Sequence, residues 1–580
     1  MTDVTVTGGA TPEDGEAIPG GPGEDAGLLA ERERLARQLR DTRLQLAMTQ
    51  ARLTALQGST KMRFGTILAN AAHRPWPRGV QLPGALYKLW RERGLKPTGA
   101  QSAATALASA QLTDLAGTGE RFLSALTAPS ALQLADPALA LAGLSAAGDA
   151  GARGIVVTGA ISALGAATLA PDAIVQPLLP HDADVVLEGT GADLVLIEAA
   201  ALLPGQPWAF ATDPAAADRG RRLARMIVMA RSLGKPIVLV RNVPHSLMPG
   251  LSWLAPTVDA VVEGGLGVQL ARFNPIGADP ARPASPLYAG ERDPREAPAI
   301  RALLDALTAD GEQVVRLAGA RSWRSLPDLY RGNAVLVTAS ASQALEQRAS
   351  GARVISLAER AGTAAAEVRA EIAAARAAGP LTASEVRDAL RDIFLTDAAP
   401  ARLTEFACAA GLPSGIVGGR QLAVLARAED ADAAGRLAAD VMRQRLRPAE
   451  VIVATAPAAA RLVTEVLSGL ADAGIRVATD DSATPSTCGE IARLARLATS
   501  PWAAPWLDGG EHEDTCLLDL ACARECAQAD AVGFGGEYEF TRSLDAAGPA
   551  LARRELLLAD APPPQTWGDH GIRLFTVARA

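Results

Sequence analysis

The chain has 580 residues, well past the size at which a single hydrophobic core keeps growing, so two to four domains are expected. With 49% hydrophobic and 21% charged residues it is neither disordered nor fibrous, and a net charge of −8 excludes a general nucleic-acid binder, which needs a basic face. The five cysteines, Cys408, Cys488, Cys516, Cys522 and Cys526, form no CxxC pair and argue against a disulfide scaffold. Cys516, Cys522 and Cys526 have a spacing that a metal could use, but one-turn spacing on a helix suits small buried side chains better.

Residues 1–25 are acidic and rich in Gly and Pro, without the basic and apolar regions of a secretory signal, which predicts a disordered leader on a cytoplasmic protein. No apolar run reaches the roughly 18 residues of a membrane span; the nearest is broken by Asp136, Pro137 and Asp149. Residues 26–58 carry a short heptad, with Leu39, Leu46 and Leu53 on one seam and Leu28, Leu35 and Leu56 on the other, interrupted by Thr42 and Thr49. This predicts either a coiled-coil homo-oligomer or one amphipathic helix packed on its own protein. In residues 59–100, Lys61, Arg63, Arg74, Arg78, Lys88, Arg91, Arg93 and Lys96 face only Glu92, among Phe64, Trp76, Tyr87 and Trp90. The segment suits an anionic membrane surface at the inner face, or a Pro-kinked connector whose aromatics pack on the next domain.

From Arg153 short apolar runs alternate with helical stretches: GIVVTG, DADVVL, ADLVLIEA, the long RRLARMIVMARSLG, KPIVLVRN and VDAVVEGG. Such alternation predicts a parallel sheet covered on both faces. A Pro-rich hinge from Ala278 to Pro286 follows, and PLYAG, EQVVRLAG, NAVLVTAS and ARVISLAE restart the pattern, so residues 101–280 and 281–412 are expected to form two Rossmann-like halves around a cleft. After GLPSGIVGG, residues 413–580 form a third α/β segment with RQLAVLARA, PAEVIVATA, GIRVATDD and APWLDGG as strands.

The middle unit resembles the CgeB-like, spore-maturation type glycosyltransferases of the GT-B class. The resemblance runs from about residue 185 to 360 through ADLVLIEAAALLPGQPW, ARSLGKPIVLVRNVPHS, VDAVVEGG, SPLYAG, DLYRGNAVLVTAS and ALEQRASGARVIS. In the last string Glu346 is expected to open a helix that Gly351 ends, and the resemblance implies that Glu346 holds the ribose hydroxyls of a nucleotide-sugar donor and that Gly351 belongs to the same donor site. A carboxylate suits a diol because its hydrogen bonds are charge-assisted, and the start of the same helix can receive a diphosphate. Gly290, at a strand end, lets backbone approach the ligand, and Arg292 neutralises phosphate or is a surface arginine. His245 is a candidate acid, base or acceptor contact, or a turn histidine. Two positions depart from the family pattern: Gln343 stands where it has arginine, and Val240, Arg241, Asn242 and Val243 replace its acid-rich strand end.

The C-terminal segment resembles family 2 glycosyltransferases, which have the GT-A fold, through MRQRLRPAEVIVAT with Gln444, Pro448 and Glu450. Its second strand ends in Thr455, Ala456 and Pro457, and the position of the metal-binding Asp-x-Asp reads Asp508, Gly509, Gly510, with Glu511, Glu513 and Asp514 following. Two carboxylate sets are thus missing, which implies a degenerate GT-A-like domain. Together the resemblances imply transfer of a sugar from a nucleotide-diphosphate donor to a glycan or lipid-linked acceptor in cell-surface polysaccharide synthesis. They imply no resident cofactor, no divalent metal and no nucleic-acid partner. The alternative is a non-catalytic scaffold in a glycan assembly complex.

Overall fold

Most of the apolar runs become strands, the central ones covered on both faces; DADVVL instead forms the helix Ala183–Gly189, its polar and apolar residues falling on opposite sides, and VDAVVEGG forms an exposed edge strand. The computed structural model describes residues 154–243, 248–288, 302–303, 305–307, 315–316, 325–357, 365–482, 487–507, 509–535, 538–544, 550–558 and 564–578. The expected leader, heptad helix and basic aromatic segment, together with His245, Gly290, Arg292 and Asp508, lie outside the described residues.

The first sheet is built from β1 (Val156–Ala160), α1 (Ala163–Leu169), β2 (Ile174–Pro177), α2 (Ala183–Gly189), β3 (Leu194–Glu198), α3 (Ala217–Ser232), β4 (Ile237–Arg241) and β5 (Ala260–Glu263). Its five strands are all parallel, in the order β2-β1-β3-β4-β5. Because β1 and β3 bury every residue, polar side chains cannot alternate along them, which is why their sequences read as unbroken apolar runs. One face packs on α2, α3 and Trp208, whose indole N–H donates to the Leu178 carbonyl at 2.8 Å.

The second sheet comprises β6 (Leu287–Tyr288), β7 (Val315–Arg316), α4 (Leu326–Arg331), β8 (Val335–Thr338), α5 (Ala341–Ala349) and β9 (Arg353–Ser356), followed by α6 (Ala365–Ala378) and α7 (Ala383–Asp392). Its four strands are also parallel, in the order β7-β6-β8-β9. The chain then passes through one π-helical turn, Ile393–Asp397, into α8 (Ala399–Ala409), whose Leu403, Phe406 and Ala407 cover the other face of the first sheet. The two passages between the halves are tied together. Val268 N–H donates to the Asp397 carbonyl at 2.7 Å, and Ala399 N–H donates to the Val268 carbonyl at 2.9 Å. Gly267 (φ +104°) permits this contact, since a Cβ there would lie 2.6 Å from the Ala399 Cα.

The third sheet holds β10 (Leu422–Arg427), α9 (Ala431–Arg443), β11 (Glu450–Ala454), α10 (Ala460–Asp472), β12 (Arg476–Asp480), α11 (Thr487–Leu497), β13 (Trp502–Trp506), α12 (Cys516–Ala527), β14 (Ala531–Phe534), β15 (Glu539–Thr541), β16 (Leu551–Arg553) and β17 (Leu574–Val577). The order is β12-β11-β10-β13-β16-β14-β17-β15, with β16 antiparallel to both β13 and β14 and β15 antiparallel to β17. The chain is therefore an α/β protein with two Rossmann-like parallel sheets followed by a third α/β sheet of mixed strand direction.

Helix α12 joins the last two sheets. It is buried almost throughout, with small and apolar side chains on most of its surface and its acids Asp519 and Glu525 paired with arginines. Cys516, Cys522 and Cys526 serve here as core side chains, and the Cys522 thiol points at the Leu390 carbonyl of α7 at 3.8 Å. Residues of both sheets share one core around it, from Leu270 and Leu336 to Val424 and Phe575. Two bidentate ion pairs seal it: Arg391 to Asp519, both contacts 2.7 Å, and Arg420 to Glu525 at 2.8 and 2.7 Å.

Candidate functional site

In open parallel sheets, ligands bind beyond the carboxyl ends of the strands, where the strand order reverses. In the first sheet that point lies between β1 and β3. Gly159 (φ +142°) passes so close to the Leu196 backbone that a Cβ would collide with it. Past the end of β1, the Ser162 hydroxyl caps α1 by accepting from Gly165 N–H at 2.9 Å. Glu198 closes β3 and is almost fully buried. It accepts from Ser162 N–H at 2.7 Å and from the Asn242 side-chain amide at 2.9 Å. The Asn242 carbonyl in turn accepts from Ala200 N–H at 2.9 Å. One carboxyl thus ties the loops leaving β1, β3 and β4. Burial pushes the Glu198 carboxyl above its ordinary range, against the lowering influence of Ser162 and Asn242. A Cβ at Gly165 would run into this carboxyl, so small size is required there.

Sequence reasoning placed no weight on Glu198 as a site residue. The available signal was an acid at the end of a fully apolar strand, a position where burial is costly unless hydrogen bonds compensate. Asn242, read as a departure from an acid-rich strand end, is the partner that holds this acid.

In the second sheet the order reverses between β6 and β8. Helix α5 starts there, but Ser340 opens it rather than Glu346: the Ser340 hydroxyl accepts from Gln343 N–H at 3.4 Å. The Ser-x-x-Gln spacing of a capping box was the overlooked signal. Gln343 turns its side-chain oxygen to the Thr338 hydroxyl at 3.1 Å. Glu346 follows one and a half turns later, half-buried. Burial pushes its carboxyl up to about 8, with the Arg272 cation working in the opposite direction. At neutral pH this group is therefore mainly the neutral acid, where the resemblance implied a charged acceptor. Its negative form and burial together raise the Tyr330 phenol above its ordinary range, burial being the larger influence. Among the described residues the Tyr330 hydroxyl and both polar atoms of Gln347 are buried without a partner in hydrogen-bonding geometry, while Gln347 still lies near enough to ease the phenol's ionisation.

Gly351 (φ +81°) lies just past the far end of α5, and its carbonyl accepts from the Arg282 guanidinium. It terminates the helix at the amino edge of the sheet, opposite the crevice, and so has a folding role. The two halves border each other where β5 exits: a Cβ on Gly265 would lie 2.7 Å from the Ser342 hydroxyl in the first turn of α5. The carboxyl edge of the first sheet thus meets the start of the helix that carries Glu346.

The third crevice is occupied by its own side chains. At the end of β10, Arg427 makes a bidentate pair with the buried Glu490 of α11. Asp480, ending β12, is bound by Arg493 at 3.0 Å and by the Ser482 hydroxyl at 2.6 Å. The buried Thr455 hydroxyl has no partner among the described residues. After β13, His512 stacks on Trp506 with centroids 3.9 Å apart and rings 9° from parallel, and its Nδ1 lies 2.9 Å from an Asp440 oxygen. Gln444 bridges the Glu513 carbonyl and Leu517 N–H at 2.6 and 3.1 Å. Glu511, Glu513 and Asp514 are exposed. Among the described residues no group of three or more His, Cys, Asp or Glu is placed to hold a metal ion.

No protein-family model and no curated protein matches this chain. Among solved structures, residues 1–349 of S. aureus TarS in complex with UDP-GlcNAc align at 12% identity over 28% of this chain and 56% of that one, with a TM-score of 0.22. The mannosyltransferase PcManGT from Pyrobaculum calidifontis, in complex with GDP-Man and Mn²⁺, aligns at 13% over 27% and 55%, with a TM-score of 0.23. A nucleotidyl transferase from Methanothermobacter thermautotroptrophicus aligns at 18% over 28% and 88%, with a TM-score of 0.21. The chain spans 58% of the TarS 1–349 structure in its uncomplexed form. At TM-scores this low the likeness carries no weight for function.

Proposed function

We propose that the protein transfers a sugar from a nucleotide-diphosphate donor to a glycan or lipid-linked acceptor of the cell envelope. The donor occupies the crevice between the first two sheets. The observation that carries this reading is the meeting of Gly265, at the carboxyl edge of the first sheet, with Ser342 in the first turn of the helix bearing Glu346. A capped helix start offers backbone N–H groups to a diphosphate, and Glu346 in its neutral form can both donate to and accept from a ribose diol. The helix start and nearby cations stabilise the leaving diphosphate, so no metal is required. His245, Gly290 and Arg292 belong to the same proposal by their positions in sequence.

Thermal unfolding with a panel of uridine and guanosine diphosphate sugars tests it. A ligand at 100 times its dissociation constant stabilises by about 2.7 kcal/mol. Glu346→Ala removes most of that gain if the assignment is right. An undiminished gain in the variant places the donor elsewhere, and activity that needs Mn²⁺ transfers the chemistry to the third sheet. A second reading, a non-catalytic partner in glycan assembly, is favoured by the Arg427–Glu490 pair in the third crevice, and absence of any nucleotide-sugar effect selects it.

A further inference from the structure

Helix α3 carries five arginines against one acid, Asp218, in a chain whose net charge is −8. Three of them are anchored to neighbouring carbonyls: Arg219 to Pro207, Arg222 to Pro180 at 3.0 Å and Arg231 to Thr257 at 3.0 Å. Arg221 and Arg225 are exposed and meet no carboxylate among the described residues. On the same helix Val228 is 66% exposed, beside an open apolar concavity that Ala224, Met229 and Asp184 also line.

Two aromatics flank this face. Phe210 is 50% exposed and holds a left-handed backbone (φ +62°), which a bulky residue adopts only under strain. Its loop rests on the first turn of α3, where a Cβ on Gly220 would lie 3.3 Å from the Ala211 carbonyl. Trp253 is 39% exposed on the short helical turn Pro249–Trp253. That turn abuts Thr212 through Gly250, and the residues after it reach Arg231 at the other end of α3 through Thr257. The loop therefore runs along the helix.

Folding alone gives no reason to keep a strained, half-exposed phenylalanine on a loop that runs along a helix exposing two arginines and a valine. Cations that seek phosphate, with apolar and aromatic groups that enter the acyl boundary, form the recognition chemistry of a lipid–water interface. We propose that the α3 face, with Phe210 and Trp253, docks on an anionic phospholipid surface. These residues are other than those of the basic aromatic segment at residues 59–100, and the proposal does not depend on the donor chemistry.

The test is sedimentation of the full chain with phosphatidylglycerol-containing and pure phosphatidylcholine vesicles at low and high salt. The wild type binds the anionic vesicles at low salt and is released by salt. Arg221→Ala with Arg225→Ala weakens binding about thirtyfold, at about 1 kcal/mol for each cation. Phe210→Asn weakens it severalfold without lowering thermal stability, because asparagine tolerates the left-handed backbone. Lack of vesicle binding by the wild type overturns the proposal. So does equal binding by the double variant, which assigns attachment to another part of the chain, and so does binding to unstructured RNA with none to vesicles.

Discussion

Glu198 at the carboxyl end of β3 and Glu450 at the amino end of β11 are both buried glutamates on central strands, yet their acidities move in opposite directions. Burial is the largest influence on each and raises both. Glu198 has only neutral donors, the Ser162 N–H, the Ser162 side chain and the Asn242 amide, and burial prevails. Glu450 accepts from Thr499 N–H at 2.7 Å, from the Thr499 hydroxyl at 3.2 Å, from Ser500 N–H and from the Arg476 guanidinium, and these together outweigh burial. The difference teaches that the donors and the cation facing a buried carboxyl, set against how deeply it is desolvated, decide its charge. Glu450 locks two strands and the α11–β13 turn. Glu198 sits where the strand order of the first sheet reverses and is less fully compensated.

Removing each carboxyl tests the contrast. Glu450→Leu leaves the Thr499 and Ser500 N–H groups without acceptors, and urea unfolding is expected to show a loss of about 3 kcal/mol or more. Glu198→Gln keeps size and one acceptor oxygen while placing an amide against a donor, with an expected loss of about 1–2 kcal/mol. A larger loss for Glu198→Gln than for Glu450→Leu breaks the comparison.

The pH dependence of stability sharpens it with a smaller effect. The folded-state shift of Glu450 is downward, so its contribution is present above the unfolded carboxyl range and is lost as pH falls through the folded value. Glu198 and Glu346 are shifted upward, so their contributions are complete below the unfolded range and are lost as pH rises through the folded values, about 8 for Glu346. Glu346→Gln, which resembles the neutral acid, is expected to flatten the decline in urea midpoint between about pH 4.5 and 8. An unchanged slope shows that Glu346 is ionised in the folded protein.

The sequence alone determined the α/β class and the succession of three strand-rich segments. These rest on local patterns: VVTGA and LVLIE are apolar because both faces are covered, and RLARMIVMARS has helical periodicity because one face is. The cap at Ser340 was legible in the same local way. Tertiary structure alone decided which residues meet. Ser162 and Glu198 are 36 positions apart, and Arg391 and Asp519 are 128 apart. Strand order brings the first pair to one crevice, and burial of α12 between two sheets brings the second pair into one core. Periodicity reports how much of a residue is covered, whereas partner and ionisation depend on the groups that chain topology delivers to it; Glu198, Glu450 and Glu346 look alike in sequence because that information is non-local.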